Sequence, residues 1–134
     1  MKGQLFLRTG VVLLIVGIVM GMQMGAAQNF TYAPVHAHLN LAGGVLMMLA
    51  GLVYNARPDL SSRAINAHYV SHLLGTILLP IGIYGSIAGR AWAGGVVGAG
   101  AVLVLLALLL FAFNLFRRVP REAPAGQVDT AQVP

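Results

Sequence analysis

Four long apolar runs, separated by short breaks rich in Pro, Asn, Ser and Arg, make up most of this chain. A hydrocarbon core about 30 Å thick asks for roughly 20 mostly apolar residues per helix. The runs at 5–27, 35–54, 64–87 and 92–116 meet that requirement. The pattern predicts an all-α, integral membrane four-helix unit over residues 1–116. The remaining 117–134, rich in Pro, Ala and Gln, is expected to be a mobile cytoplasmic tail. Composition agrees: 58% of the 134 residues are hydrophobic and 8% charged, whereas about a quarter are charged in an average soluble domain. The first run exceeds the roughly 7–15 residues of a signal-peptide core, so it reads as a retained span.

Polar punctuation within the runs suggests how they begin, end and pack. Pro34 suits the first turn of the second helix, and Asp59, Ser61 or Ser62 can cap the third. Pro80 should kink the third helix unless neighbours re-satisfy the freed carbonyl, and Gly89 closes it. Gly10, Gly17, Gly21 and Gly25 form a small-residue stripe on the first helix, a packing seam for a membrane helix. Tyr54 and Trp92 fall where interfacial aromatic residues are expected. The fourth span, with Asn114 as its only strong polar group, reads as structural. The methionines 22, 24, 47 and 48 read as packing residues.

The formal charge of +5 does not point to nucleic acid, because the basic residues cluster at span ends. Lys2, Arg8, Arg57, Arg63, Arg117, Arg118 and Arg121 all lie on one predicted side, and only Arg90 on the other. By the positive-inside pattern both termini and the middle loop are cytoplasmic. There are no cysteines, so disulfides, thiolate metal sites and iron–sulfur clusters are excluded.

All four histidines lie within or at the edge of these spans, His36 and His38 in the second and His68 and His72 in the third. An ionisable residue in a membrane is by default a functional-site hypothesis, and neutral imidazole is the commonest metal ligand. At 100° per residue His36 and His38 point to nearly opposite sides of their helix. His68 and His72, four apart, share a face with Gly75 and Thr76. His36 continues into a stripe of Asn40, Gly43, Met47 and Gly51. Glycines beside histidines leave room for a flat, bulky group such as haem. Counting helical rise, the second-span and third-span rings differ in depth by around 10 Å, too far apart to sandwich one iron. The plainer readings are a headgroup-level His36, and a His68–His72 pair satisfied by backbone carbonyls or by each other.

The segment HAHLNLAGGVLMMLAGLVYN, followed in the next helix by HYVSHLLG, resembles helices of the catalytic subunits of C-type haem–copper oxidases and their short four-span relatives. The likeness of the second span is fairly specific; elsewhere it is that of an apolar helix. The resemblance implies one arc of a threefold-symmetric ring, assembled as a homotrimer. It also implies haem b held by His36 and His38, with His72, alone or together with His68, as a distal ligand or copper site. Departures accompany it: Gly43-Gly44 stands where relatives often have Gly-Trp, the copper-site pair is spaced by four, and no span contains Asp or Glu.

The leading expectation is therefore a b-type haem protein of a bacterial inner membrane, working in electron transfer or in binding oxygen or nitric oxide, with a redox partner protein. Two others stay open. One is a small proton or metal transporter, for which the spans lack the usual carboxylates. The other is a non-catalytic assembly factor of a respiratory complex.

Overall fold

A computed structural model describes residues 3–117, and they form four helices long and apolar enough to cross a membrane. These are α1 (Gln4–Ala27), α2 (Ala33–Ala56), α3 (Ser62–Ile87) and α4 (Ala93–Phe116). No strand occurs among the described residues. The four expected spans are each found to within a few residues; the expected tail from 118 onward lies outside the described residues. This is a multi-pass membrane protein. Most large apolar side chains of α1 and α4 face outward, as lipid contact requires, and α3 is the most enclosed helix.

Each terminus follows from local chemistry. Ser61 caps α3 by accepting the Ala64 N–H at 3.3 Å. α3 runs unbroken through Pro80 to Ile87, and Gly89, at φ +68°, makes the left-handed turn behind it. At the C-terminus of α4 the last carbonyls need donors. Arg57 supplies them, with Nη1 to Leu115 O at 3.3 Å and Nη2 to Arg117 O at 3.1 Å, while Asp59 holds the same guanidinium at 2.8 Å. The hydrogen bonds to the Asp59 carboxylate, and its charge, raise Arg57 above its ordinary pKa.

Packing is organised as two antiparallel hairpins, each zipped by glycines. Lipid gives helices no hydrophobic reason to associate, so close backbone approach must supply the contact. Between α1 and α2, a Cβ at Gly21, Gly17 and Gly10 would meet His36, Asn40 and the Gly44–Met48 turn respectively, all closer than 3 Å. Gly25 meets nothing within 4 Å, so the expected four-glycine seam is a three-glycine one. Between α3 and α4, a Cβ at Gly75, Gly82 or Gly100 would meet the backbone nitrogen of Val104, Val97 or Leu79 at 2.8, 2.5 and 2.5 Å respectively.

α2 is not a plain α-helix. Leu39–Leu46 is π-helical, joining an α-helical start, Ala33–His38, to an α-helical end, Met47–Ala56. A π turn absorbs an extra residue, about 100° of helix phase. The consequence is visible in the contacts with α1. His36, Asn40, Gly44 and Met48 face it, and then Gly51 and Asn55, whose Oδ1 accepts the Gly3 N–H at 3.0 Å. In an uninterrupted α-helix Tyr54, five turns beyond His36, would share that face. Instead it points to α3 and α4 and is buried, 1% exposed, so it is not the interfacial anchor expected from its position.

Two outcomes test this packing. Gly82→Ala or Gly100→Ala should destabilise the detergent-solubilised fold by about 1–3 kcal/mol through overpacking against backbone, whereas Gly25→Ala should leave thermal unfolding unchanged. Deleting Gly43 should return α2 to a continuous α-helix with both ends in phase. Such a variant should keep its helicity and keep residue 55 within cross-linking reach of residue 3; a deletion in the α-helical stretch at Leu52 should not.

Candidate functional site

The histidines divide into two groups by what their nitrogens touch. His68 and His72 are both 1% exposed and stand in series in the centre of the bundle. Asn114 Nδ2 donates to Tyr54 Oη at 3.1 Å, and Tyr54 Oη lies 2.7 Å from His68 Nδ1. His68 Nε2 is 3.1 Å from His72 Nδ1, and His72 Nε2 is 2.9 Å from the Ala42 carbonyl. Direction follows from the ends. A carbonyl can only accept, so His72 carries its proton on Nε2 and accepts at Nδ1. His68 must then donate from Nε2 and accept at Nδ1, which takes the Tyr54 proton. With neutral rings every bond has one donor and one acceptor, and neither imidazole keeps a free lone pair.

Each member of this chain is placed by a feature already described. The four-residue spacing stacks the His68 and His72 rings with centroids 5.2 Å apart. The π-helical segment turns Tyr54 inward and contains the Ala42 carbonyl. Phe6 from α1 and Phe111 from α4 enclose the phenol and the His68 ring, with centroids 5.0 to 5.9 Å away. Asn114, read from sequence as a residue of a purely structural span, is 1% exposed and begins the chain. Its Oδ1 has no hydrogen-bond partner among the described residues.

His36 and His38 are arranged differently. His36 Nδ1 lies 2.8 Å from the Gly17 carbonyl and His38 Nδ1 2.7 Å from the Pro34 carbonyl. Both rings must donate there, leaving Nε2 as the lone-pair nitrogen. His36 is partly buried against α1, while His38 is exposed on the other side of α2, as the helical phase predicts. Asn40 Nδ2 sits 3.1 and 3.2 Å from the two nitrogens of the His36 ring, over their shared edge, and Asn40 Oδ1 is buried without a partner.

The glycines do not leave open room beside these rings. Gly17 and Gly21 are filled by Asn40 and His36 themselves, and Gly75 by Val104. Open space occurs instead in a groove of about 330 Å³ between α2 and α3, lined by Val35, Leu39, Thr76, Ile77, Pro80, Ile81 and Tyr84. This lies within the roughly 300–1,000 Å³ of small-molecule sites. His38, one residue before Leu39 and three after Val35, lies on the flank of its α2 wall.

The structure does not bring the four histidines together. The Ala42 carbonyl that His72 reaches is about 9 Å along α2 from His36, in line with the expected depth difference. No group of three or more His, Cys, Asp or Glu side chains able to hold a metal occurs among the described residues. Sequence reading missed Tyr54 and Asn114 as members of the site. Their signal was present: each is a hydrogen-bonding group within an apolar run, which in lipid must find a partner. Comparison with protein-family models, curated proteins and solved structures finds no match.

The two patterns make a sharp spectroscopic expectation. In lipid-reconstituted, ¹⁵N-histidine-labelled protein, solid-state NMR should resolve two Nδ1–H tautomers, His36 and His38, and two Nε2–H tautomers, His68 and His72. Tyr54→Phe strands an acceptor on His68 and a donor on Asn114 and should cost about 1–3 kcal/mol of stability. Replacing Tyr69, which among the described residues shares a hydrogen bond only with the Thr9 hydroxyl, should cost less.

Proposed function

We propose that this chain is a b-type haem protein of a bacterial inner membrane, with His38 and His36 as axial ligands at one end of α2. The observation that carries the reading is the pair of Nδ1–H donations to Pro34 and Gly17 carbonyls. Metal-bound histidines almost always donate their other N–H to a carbonyl, carboxylate or water, which fixes the tautomer and raises ligand basicity. A haem held there would supply a one-electron couple if both axial positions are filled, or a gas-binding position if one stays open.

The residues fit to different degrees. His38 offers an exposed, pre-oriented Nε2 beside an apolar groove suited to a macrocycle face. His36 offers the same tautomer, but Asn40 must yield its contact with Nε2 first. His72 and His68, expected as distal or copper ligands, have no nitrogen to spare and are assigned to the buried chain, so copper is not part of this proposal. Because the His36 and His38 rings face opposite sides of α2, further axial ligands would come from other copies of the chain. A homotrimer, and a redox partner at its surface, belong to the same proposal. The transporter reading is less well supported: the buried chain starts at an amide donor and ends at a carbonyl acceptor, so it cannot reverse to pass successive protons without rearranging both ends.

Protein purified in detergent from a haem-replete host should carry a Soret band and reduced b-type bands. His38→Ala should lower the haem-to-protein ratio by about tenfold or more, and His72→Leu should leave it in place. A folded but colourless preparation would overturn the reading, and stoichiometric zinc in that preparation would point to a carrier.

A further inference from the structure

His36 and His38 share a tautomer and differ in what meets the second ring nitrogen. His38 Nε2 belongs to an exposed ring, whereas His36 Nε2 lies 3.2 Å from Asn40 Nδ2. We infer that Asn40 is a latch on His36. It holds the Nε2 lone pair in the ligand-free protein and must swing away before that nitrogen can meet any electrophile, so the two histidines are engaged in order, His38 first. The iron of the proposed haem is one such electrophile. To that extent the inference rests on the haem reading; the latch itself does not.

The amide fits in one sense only. His36 gives its Nδ1 proton to the Gly17 carbonyl at 2.8 Å, which leaves Nε2 as the acceptor on the ring. The NH₂ of Asn40, and not its oxygen, must therefore face that edge. Asn40 Oδ1 is then turned onto Gly17 Cα, in a space that exists because residue 17 has no side chain. There it is buried with no hydrogen-bond partner among the described residues.

That orphaned oxygen makes the latch easy to open. Closed, it satisfies the imidazole lone pair and strands Oδ1. Open, it frees Oδ1 and strands the lone pair. Each state thus leaves one acceptor unpaired, and neither has the large advantage of a fully bonded network. An electrophile on Nε2 removes the deficit of the open state alone, and a ligand that binds one of two states shifts the balance toward it. One glycine serves both parts: its carbonyl orients the His36 ring and its Cα seats the latch.

The test uses the full-length protein, haem-depleted, in lipid nanodiscs, with two variants that open the latch by different means. Asn40→Ala removes the amide. Gly17→Ala keeps both Asn40 and the Gly17 carbonyl but builds a methyl group 2.6 Å from Asn40 Cγ and 2.9 Å from Nδ2, overlapping Oδ1; its three nearest neighbours are all atoms of that amide. In ¹⁵N-histidine spectra each variant should move His36 Nε2 toward the position of an unbonded lone pair and leave His38 Nε2 in place. Gly25→Ala, whose added Cβ meets nothing within 4 Å, should match wild type. Carbethoxylation by diethyl pyrocarbonate, located by fragment mass spectrometry, should reach His38 before His36 in wild type. In both variants His36 should react about three- to twentyfold faster, the range that one hydrogen bond in a membrane interior allows. A wild-type His36 resonance and reaction rate in folded Asn40→Ala and Gly17→Ala would overturn the latch. Combined with His38→Ala, Asn40→Ala should raise the remaining haem affinity by the same factor, and an unchanged affinity would overturn the order of engagement. A colourless wild-type protein would defeat the haem reading, while the resonance and the carbethoxylation rate would still decide the latch.

Discussion

The chain from Asn114 through Tyr54, His68 and His72 to the Ala42 carbonyl is what makes the two hairpins one bundle. Within each hairpin, glycines let backbones touch, and dispersion is enough to hold them. Between hairpins there is no such zipper, and lipid supplies no hydrophobic drive to replace it. The contact across that boundary is carried by the polar chain, by the Thr9–Tyr69 bond, by the Tyr32–Tyr84 stack and by the aromatic cluster of Phe6, Tyr54, Tyr69 and Phe111 around the chain. A single hydrogen bond in a membrane interior contributes on average only about 0.6 kcal/mol. Its loss costs more than that, because every group exposed by the break lies out of reach of water. The chain therefore acts less as an attraction than as a constraint: one arrangement of the hairpins makes every link from the Asn114 amide to the Ala42 carbonyl, and neighbouring arrangements break a link between buried groups.

That constraint explains the π-helical segment of α2. The helix has to present His36 and Asn40 to the glycines of α1 at one end and Tyr54 to His68 at the other. An α-helix of this sequence would put His36 and Tyr54 on the same face. Absorbing one residue in Leu39–Leu46 resolves the conflict, and Gly43 and Gly44 make the wide turn accessible while Leu13 and Leu14 pack over them. The same segment contributes the carbonyl that ends the chain. A π-helical stretch of this length is costly. It persists here because Tyr54 and His72 are satisfied only in the rotated phase.

The helices themselves were legible in the sequence, because bilayer thickness and apolar run length are nearly the same information. So were the opposite directions of His36 and His38 and the shared face of His68 and His72, since both rest on helical phase within a few residues. What could not be read was phase across a whole span. Assuming 3.6 residues per turn along α2 placed Met47 on the stripe of His36, and the position of Tyr54 at the end of its span, read without phase, placed it at a membrane interface. One absorbed residue, for which no residue type is diagnostic, invalidates both placements. Asn114 was misread for another reason. Its partner lies sixty residues away, and an asparagine near the end of an apolar span looks the same whether it faces headgroups or the core. The glycines beside the histidines were likewise ambiguous, since spacing cannot tell room left for a ligand from room taken by a neighbouring side chain.

The tautomers separate two uses of the same residue type. An imidazole that donates Nδ1–H to its own or a neighbouring helix projects Nε2 outward, and that nitrogen is free for an electrophile. An imidazole placed between a hydroxyl and a carbonyl has both nitrogens committed and can act only by moving protons. His38 is of the first kind, His36 joins it once Asn40 gives up its contact with Nε2, and His68 and His72 are of the second. The division also runs by depth, with the free nitrogens toward one end of α2 and the committed ones toward its middle and other end. A membrane helix pair that placed a ligand-binding nitrogen deep in its core would leave that lone pair unsatisfied whenever the ligand was absent. Placing it at the edge removes that cost, because lipid headgroups and water can substitute. The buried positions are then available only to histidines whose partners are built into the fold.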